Sequence, residues 1–266
     1  MTDNSKDIKQ QAGFTLIELM VALTLGLFVS MIFYKTFVSF ASVAGGQEQT
    51  VERNQNLRVG ISHLAREVRL AGFTGSFSHL GLEAGIISAQ QDSLRITRDL
   101  TGGEDDGRDN DRDGEVDEAD EAVFGDGDLE DNYEDVIFML AGPNLNGSFD
   151  LQQVDLNGAS DTVIENVDGL NFVYLDEKGI PLAGPADGQN VATTPEVSRR
   201  REIRSVEITM VVRTTNEDFS YRDNRAYRNK QDSNGDGLND LVLDAFGDKY
   251  KRRLVTATVQ CRNLGL

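Results

Sequence analysis

Gly13-Phe14-Thr15-Leu16-Ile17-Glu18 is the stretch on which the reading of this chain turns. The first 13 residues are mostly polar, and they carry Lys6 and Lys9. After Glu18 comes an uncharged run over 19–34; Lys35 is the next charge, and none follows until Glu48. Counted from Phe14 the apolar stretch is about 20 residues, about 30 Å as a helix, which matches a bilayer core. An ordinary secretory signal is cut after its apolar run at an Ala-x-Ala-like site. No such site follows here at the expected distance, and the small residue, Gly13, stands before the run instead. Glu18 is the anomaly. A carboxylate in a membrane span costs about 2.5–3.5 kcal/mol on insertion scales, so it marks a paired or functional group.

Beyond the span, 37–43 stays apolar and small until Gly45-Gly46 interrupts. Leu57, Ile61, Leu64 and Val68 then recur at helical spacing, with Arg58, Arg66, Glu67 and Arg69 elsewhere on the wheel. That single stripe docks a helix on a sheet. The pattern stops at Ala71-Gly72-Phe73-Thr74-Gly75, a helix C-terminus. One long helix from Phe14 to about Ala71 is expected, with a weak point at the glycine pair, either a stretchable joint or a simple helix break, since each such glycine lowers helix stability by about 1 kcal/mol. Downstream, β-type runs dominate: 93–97, 136–141, 171–175, 206–213 and 254–262, the last two rich in β-branched residues. A turn is expected over 176–179. The fold class is therefore α+β, a long helix packed on an antiparallel sheet.

Gly13 to Glu18 with its apolar run resembles the prepilin signature of type IV pilins and of type II secretion pseudopilins. The resemblance implies that a prepilin peptidase cuts between Gly13 and Phe14 on the cytoplasmic side and that the new Phe14 amine is N-methylated. It also implies that this amine meets Glu18 of a neighbouring subunit during assembly. The physics agrees: cleavage creates a cation at the membrane edge, and pairing in a low-dielectric bundle relieves both isolated charges. The stretch from Leu64 to Phe73 looks like the helix end of PilW-type minor pilins. The closing strands, with Arg262-Asn263, are similar to that group and to J-type pseudopilins. Many major pilins close a C-terminal loop with a disulfide, which a chain whose one cysteine is Cys261 cannot form within itself, so the resemblance favours a minor subunit. The expected organisation is a leader over 1–13, a transmembrane assembly helix over 14–44, an amphipathic continuation over 45–75 and a β-rich head over 76–266 with an acidic insert over 99–135. Localisation follows: single-pass in the bacterial inner membrane, leader cytoplasmic and head periplasmic, then in the filament at the cell surface.

The net charge of −19 argues against nucleic acid as a partner, because phosphate binding needs Lys and Arg. Of the 45 acidic residues, 17 lie between positions 104 and 135, against only Arg108 and Arg112. Within that block, Asp109, Asp111, Asp113, Asp117 and Asp120 occupy positions 1, 3, 5, 9 and 12 of a calcium-type loop. Gly114 sits at 6, the Glu115 carbonyl at 7 and Val116 at 8. Calcium takes six to eight oxygens, and alternate residues on a tight loop supply them. The short Asp120 makes bidentate closure less favourable, and Glu121 is a neighbouring candidate. A second loop runs through Asp232, Asn234, Asp236, Gly237, Leu238 (by its carbonyl) and Asp240, with Asp244 one step late for closure. Two calcium sites are expected. For Asp126, Asp128 and Asp131 two readings stay open, an extension of the first site or a solvated run.

An enzyme is not expected. With His63, His79 and Cys261 as its only imidazoles and thiol, the chain cannot build a three-histidine zinc site. It shows no nucleophile–base pattern and no Gly-rich phosphate loop. His63 is expected on the helix surface, His79 in a loop and Cys261 as a buried apolar group. Three functions compete: a minor pilin that primes or caps a type IV pilus, a type II secretion minor pseudopilin, and a calcium-dependent adhesin tethered by a pilin-like helix. All imply membrane lipid, and the first two imply major and minor pilin partners and prepilin peptidase.

Overall fold

The computed structural model describes residues 14–74, 84–103, 107–110, 112–117, 119–182, 197–232 and 237–264. It divides at Glu48/Gln49 into an N-terminal unit and a larger unit that carries the sheet. Helix α1 spans Leu16–Leu70. It passes through Gly45 and Gly46 without interruption, one long helix as expected and with no break at the pair; beyond the helix's own backbone neither glycine has an atom within 4 Å of where a Cβ would sit. The helix ends where expected. Ala71 closes the last turn on Glu67, and Gly72 adopts φ +77°, the left-handed conformation that glycine tolerates best. Its amide then donates to the Thr97 carbonyl at 2.9 Å, stitching the helix end to the sheet.

The strands are β1 (Gly85–Ala89), β2 (Leu94–Thr97), β3 (Asp135–Ala141), β4 (Phe149–Asp155), β5 (Ser160–Leu175), β6 (Ser205–Arg213), β7 (Tyr227–Arg228), β8 (Leu241–Leu243) and β9 (Arg252–Gln260). Seven form one sheet in the order β1-β2-β3-β4-β5-β6-β9, antiparallel throughout; β7 and β8 form a separate ribbon. The five expected strands are present. β1, β4 and the first half of β5 add to them, and the turn at 176–179 closes with Gly179 donating to the Asp176 carbonyl at 3.0 Å.

Alternation along the central strands separates two faces. Leu170, Phe172 and Tyr174 of β5 and Val206, Ile208, Met210 and Val212 of β6 join Leu57, Leu64 and Val68 of α1 in one core. The expected stripe thus docks on the sheet, and Gly60 lets it come close: a Cβ there would lie 2.8 Å from Ile164 Cδ1. On the opposite face, Asn171 accepts from Asn229 Nδ2 at 3.1 Å and Glu207 from Gln231 Nε2 at 2.7 Å. Leu243 of β8 presses on Gly169. The ribbon therefore roofs the far side of β5 and β6, making three layers. Buried Asp168 anchors this side through Arg252 Nε at 2.5 Å, and Arg252 also reaches Asp248 at 2.6 Å.

Candidate functional site

At the N-terminus Gly13 lies outside the described residues, while Phe14 is 91% exposed. Thr15 and Glu18 form a capping box. The Glu18 carboxylate accepts the Thr15 amide at 3.0 Å and the Thr15 hydroxyl at 2.9 Å, and the Glu18 amide returns to Thr15 Oγ1 at 3.3 Å. Glu18 thus begins the helix in the uncleaved chain, a local role that the Thr-x-x-Glu spacing contains and the reading of an intersubunit partner overlooked. The run after it is long and apolar enough to cross a membrane, and none of it is buried. Two of its threonines satisfy their hydroxyls within the helix: Thr24 donates to the Val21 carbonyl at 2.8 Å and Thr36 to the Ile32 carbonyl at 2.9 Å. In a lipid core, where no water is present to accept them, that matters.

In the acidic insert, Asp109 Oδ1 accepts the Asp113 amide at 3.1 Å and Oδ2 the Gly114 amide at 3.0 Å, with Gly114 at φ +105°. Asp113 caps Glu115 at 3.0 Å, and Asp117 reaches back to the Gly107 amide at 2.7 Å. Asp120 precedes a short 3-10 helix, Glu121–Val123, without capping it by its side chain. Asp111 lies outside the described residues, as do Asn234 and Asp236 of the second loop. There, Asp232 Oδ2 accepts the Gly237 amide at 2.9 Å, and the Asp240 amide donates to Gln231. Leu238 and Asp244 are exposed. Among the described residues, no three or more Asp, Glu, His or Cys side chains converge to hold a metal ion.

Sequence reasoning missed several buried charges. Glu67 belongs to the polar side of the helical wheel by pattern, yet it is 1% exposed and pairs with Arg98. Asp99 and Glu134, which no motif marks, are buried at the two ends of the insert. His63 is half-buried rather than on the open helix surface, bonded to Gln153 Oε1 at 2.8 Å and set edge-on to Phe138. His79 lies outside the described residues. Cys261 is buried, as expected, and burial pushes its thiol up to about 12.

A long N-terminal helix, apolar and uncovered in its first half, followed by an antiparallel sheet, is a pilin-like α+β architecture. The family model described as the prokaryotic N-terminal methylation motif matches residues 8–34, the stretch that holds Gly13, Phe14 and Glu18. By that motif and the helix that follows, the chain is similar to prepilin-type structural proteins of the pilin or pseudopilin kind. No curated protein and no solved structure matches it.

Proposed function

We propose that this chain is a minor subunit of a type IV pilus, cut between Gly13 and Phe14, N-methylated on Phe14, and taken into the filament by its N-terminal helix. The observation that carries the reading is the coincidence of the methylation motif over 8–34 with an apolar helix that no other part of the described chain covers. Such a helix is stable only in lipid or against like helices. Buried, unpaired Cys261 favours a minor over a major subunit. Glu18 supplies the anion for a neighbour's Phe14 amine, giving up its bonds to Thr15 when it does so.

Mass spectrometry of the mature N-terminus tests the processing: the expected species begins with N-methylated Phe14, and a chain intact at Met1 in cells that possess the peptidase overturns the proposal. Glu18→Ala should be processed and membrane-bound but poorly incorporated, as read by subunit content of sheared filaments. Incorporation into a secretin-linked secretion filament instead would assign the chain to the pseudopilins.

For the two Asp-rich loops we propose calcium. What supports it is a shared local geometry: in each, the carboxylate at position 1 accepts the amide of the glycine at position 6, Asp109 from Gly114 and Asp232 from Gly237. That bond tightens the turn, as a calcium-type loop of alternating oxygen donors requires. Calorimetric titration of the detergent-solubilised protein should show heat on adding calcium, and EDTA should lower the melting temperature; the absence of both effects would sink the assignment.

A further inference from the structure

Just past the end of α1 the fold buries acid without base. Asp99 follows β2, its amide held by the Phe73 carbonyl at 2.8 Å, and it is 0% exposed. Neither of its carboxylate oxygens has a hydrogen-bond partner. Glu134, at the start of β3, is 1% exposed. Its Oε1 accepts the Leu100 amide at 2.5 Å and the Thr101 amide at 2.9 Å, while its Oε2 is buried without a partner. The charges that act most strongly on this pair are carboxylates: Asp126 and Asp128 on Asp99, Asp99 and Asp131 on Glu134. Arg98, the adjacent cation, is committed to Glu67. Burying a carboxylate in such company is strongly unfavourable unless a cation joins it. Burial, then Asp126, push Asp99 up to about 6; the amides of Gly127 and Asp126 pull the other way without completing a hydrogen bond.

Two glycines shape the place. Gly102 and Gly125 pair as an isolated antiparallel bridge. A methyl group on Gly102, whose φ is +96°, would collide with Asp131 Oδ2 and lie 2.8 Å from Asp126 Oδ2. One on Gly125 would collide with the Asp99 carboxylate. The bridge thus keeps room for three carboxylates, Asp99 from the buried side and Asp126 and Asp131 from the half-exposed rim, by omitting two side chains.

We propose that Asp99, Glu134, Asp126 and Asp131, gathered at the Gly102–Gly125 bridge, bind one divalent cation of the calcium type, separate from the Asp109 and Asp232 loops. The donors are all oxygen, which suits a hard cation and disfavours zinc. Calcium fits better than magnesium because it accepts irregular shells of six to eight oxygens, whereas magnesium demands a near-ideal octahedron. Among the described residues no three of these carboxylates meet at one point. The ion therefore draws the rim over 126–131 inward onto the fixed floor of Asp99 and Glu134, with water and backbone carbonyls completing its shell. Because the Asp99 amide is bonded to Phe73, such an ion clamps the acidic insert to the end of α1.

The test uses the full chain in detergent at pH 7.5, stripped with EDTA, in an Asp109→Asn/Asp232→Asn background that removes the two motif loops. That background should still take up one calcium equivalent, and its melting temperature should rise by roughly 5–10 °C at calcium a hundredfold above Kd. Adding Asp99→Asn should weaken calcium at least tenfold; Asp126→Asn, on the rim, is the second variant should Asp99→Asn fail to fold. Magnesium should bind at least tenfold more weakly. A background that takes up no calcium overturns the site, as does undiminished binding by both added variants, and equal affinity for magnesium overturns the choice of ion. The difference between wild type and background reports the motif loops alone, so the two proposals fail separately.

Discussion

Glu67 and Arg98 show how much one residue's burial can matter. Each is almost wholly enclosed, and each charge is tolerated because the other is there; Arg66 adds a bond to Glu67 at 3.0 Å from the solvent side. Removing one member leaves the other buried and unpaired. Glu67→Ala or Arg98→Ala should therefore lower stability by about 3–5 kcal/mol, read by chemical denaturation in detergent. Replacing both by Leu should recover much of that, because a matched apolar pair escapes the desolvation penalty. Equal losses in the single and double variants would contradict the pairing. Cys261 makes a second residue-scale prediction. Its thiol is pushed up to about 12 by burial, from an ordinary value of 9.0. The folded chain thus keeps the proton that the unfolded chain releases above about pH 9, and folding holds the larger number of protons between 9 and 12. Stability should fall as pH rises through that window. At pH 8–9 the native thiol should resist alkylation by iodoacetamide, reacting at the ordinary rate only on unfolding.

At the scale of the element, α1 carries two kinds of glycine. Gly60 faces Ile164 and Met210 and sets the distance between helix and sheet, whereas Gly45 and Gly46 face open space. The last two are helical with nothing to clash, so Gly45→Ala and Gly46→Ala should each stabilise the helix by about 1 kcal/mol. Amide hydrogen exchange around 41–50 should slow accordingly, and no change would mean that this stretch is held by something other than its own propensity. Elements were legible to the extent that their signals were local. The stripe Leu57, Leu64, Val68 and the runs in β6 and β9 announce themselves by period and by β-branched residues. β4, Phe149–Asp155, and the opening of β5, Ser160-Asp161-Thr162, are as polar as loops, and they are strands because β3 pairs along β4 and β4 along the opening of β5. Glu67 escaped the helical wheel for a similar reason. Its partner lies 31 residues away, and only the docking of α1 on the sheet brings Arg98 to it. The processing motif, by contrast, is six contiguous residues. Asp99 and Glu134 share nothing in sequence with the Asp-rich loops, so their convergence was invisible until the Gly102–Gly125 bridge formed.

For the whole molecule, the division at Glu48/Gln49 separates two kinds of stability. Every buried apolar residue of the core lies from Leu57 onward. From Phe14 to Val43, by contrast, the large apolar side chains are exposed, Phe14, Leu27, Phe33 and Phe40 among them. The sheet-bearing unit therefore draws its stability from its own packing, while the N-terminal segment buries surface only against lipid or other helices. A chain beginning at Gln49 should fold, melt within a few degrees of the full chain in detergent, and elute as a monomer without detergent. The full chain without detergent should associate, because an apolar surface of that length does not remain in water. Light scattering with size-exclusion chromatography and a thermal melt check both halves of the prediction. If the shortened chain were molten, the stripe from Leu57 to Val68 would depend on the residues before it, and the head could not travel unchanged from membrane to filament. If instead it keeps its melt, the transfer of the N-terminal helix from lipid to a bundle of like helices leaves the head's core untouched. On the proposed function, assembly would then alter only the surroundings of Glu18 and of the apolar run, which is where the methylation motif lies.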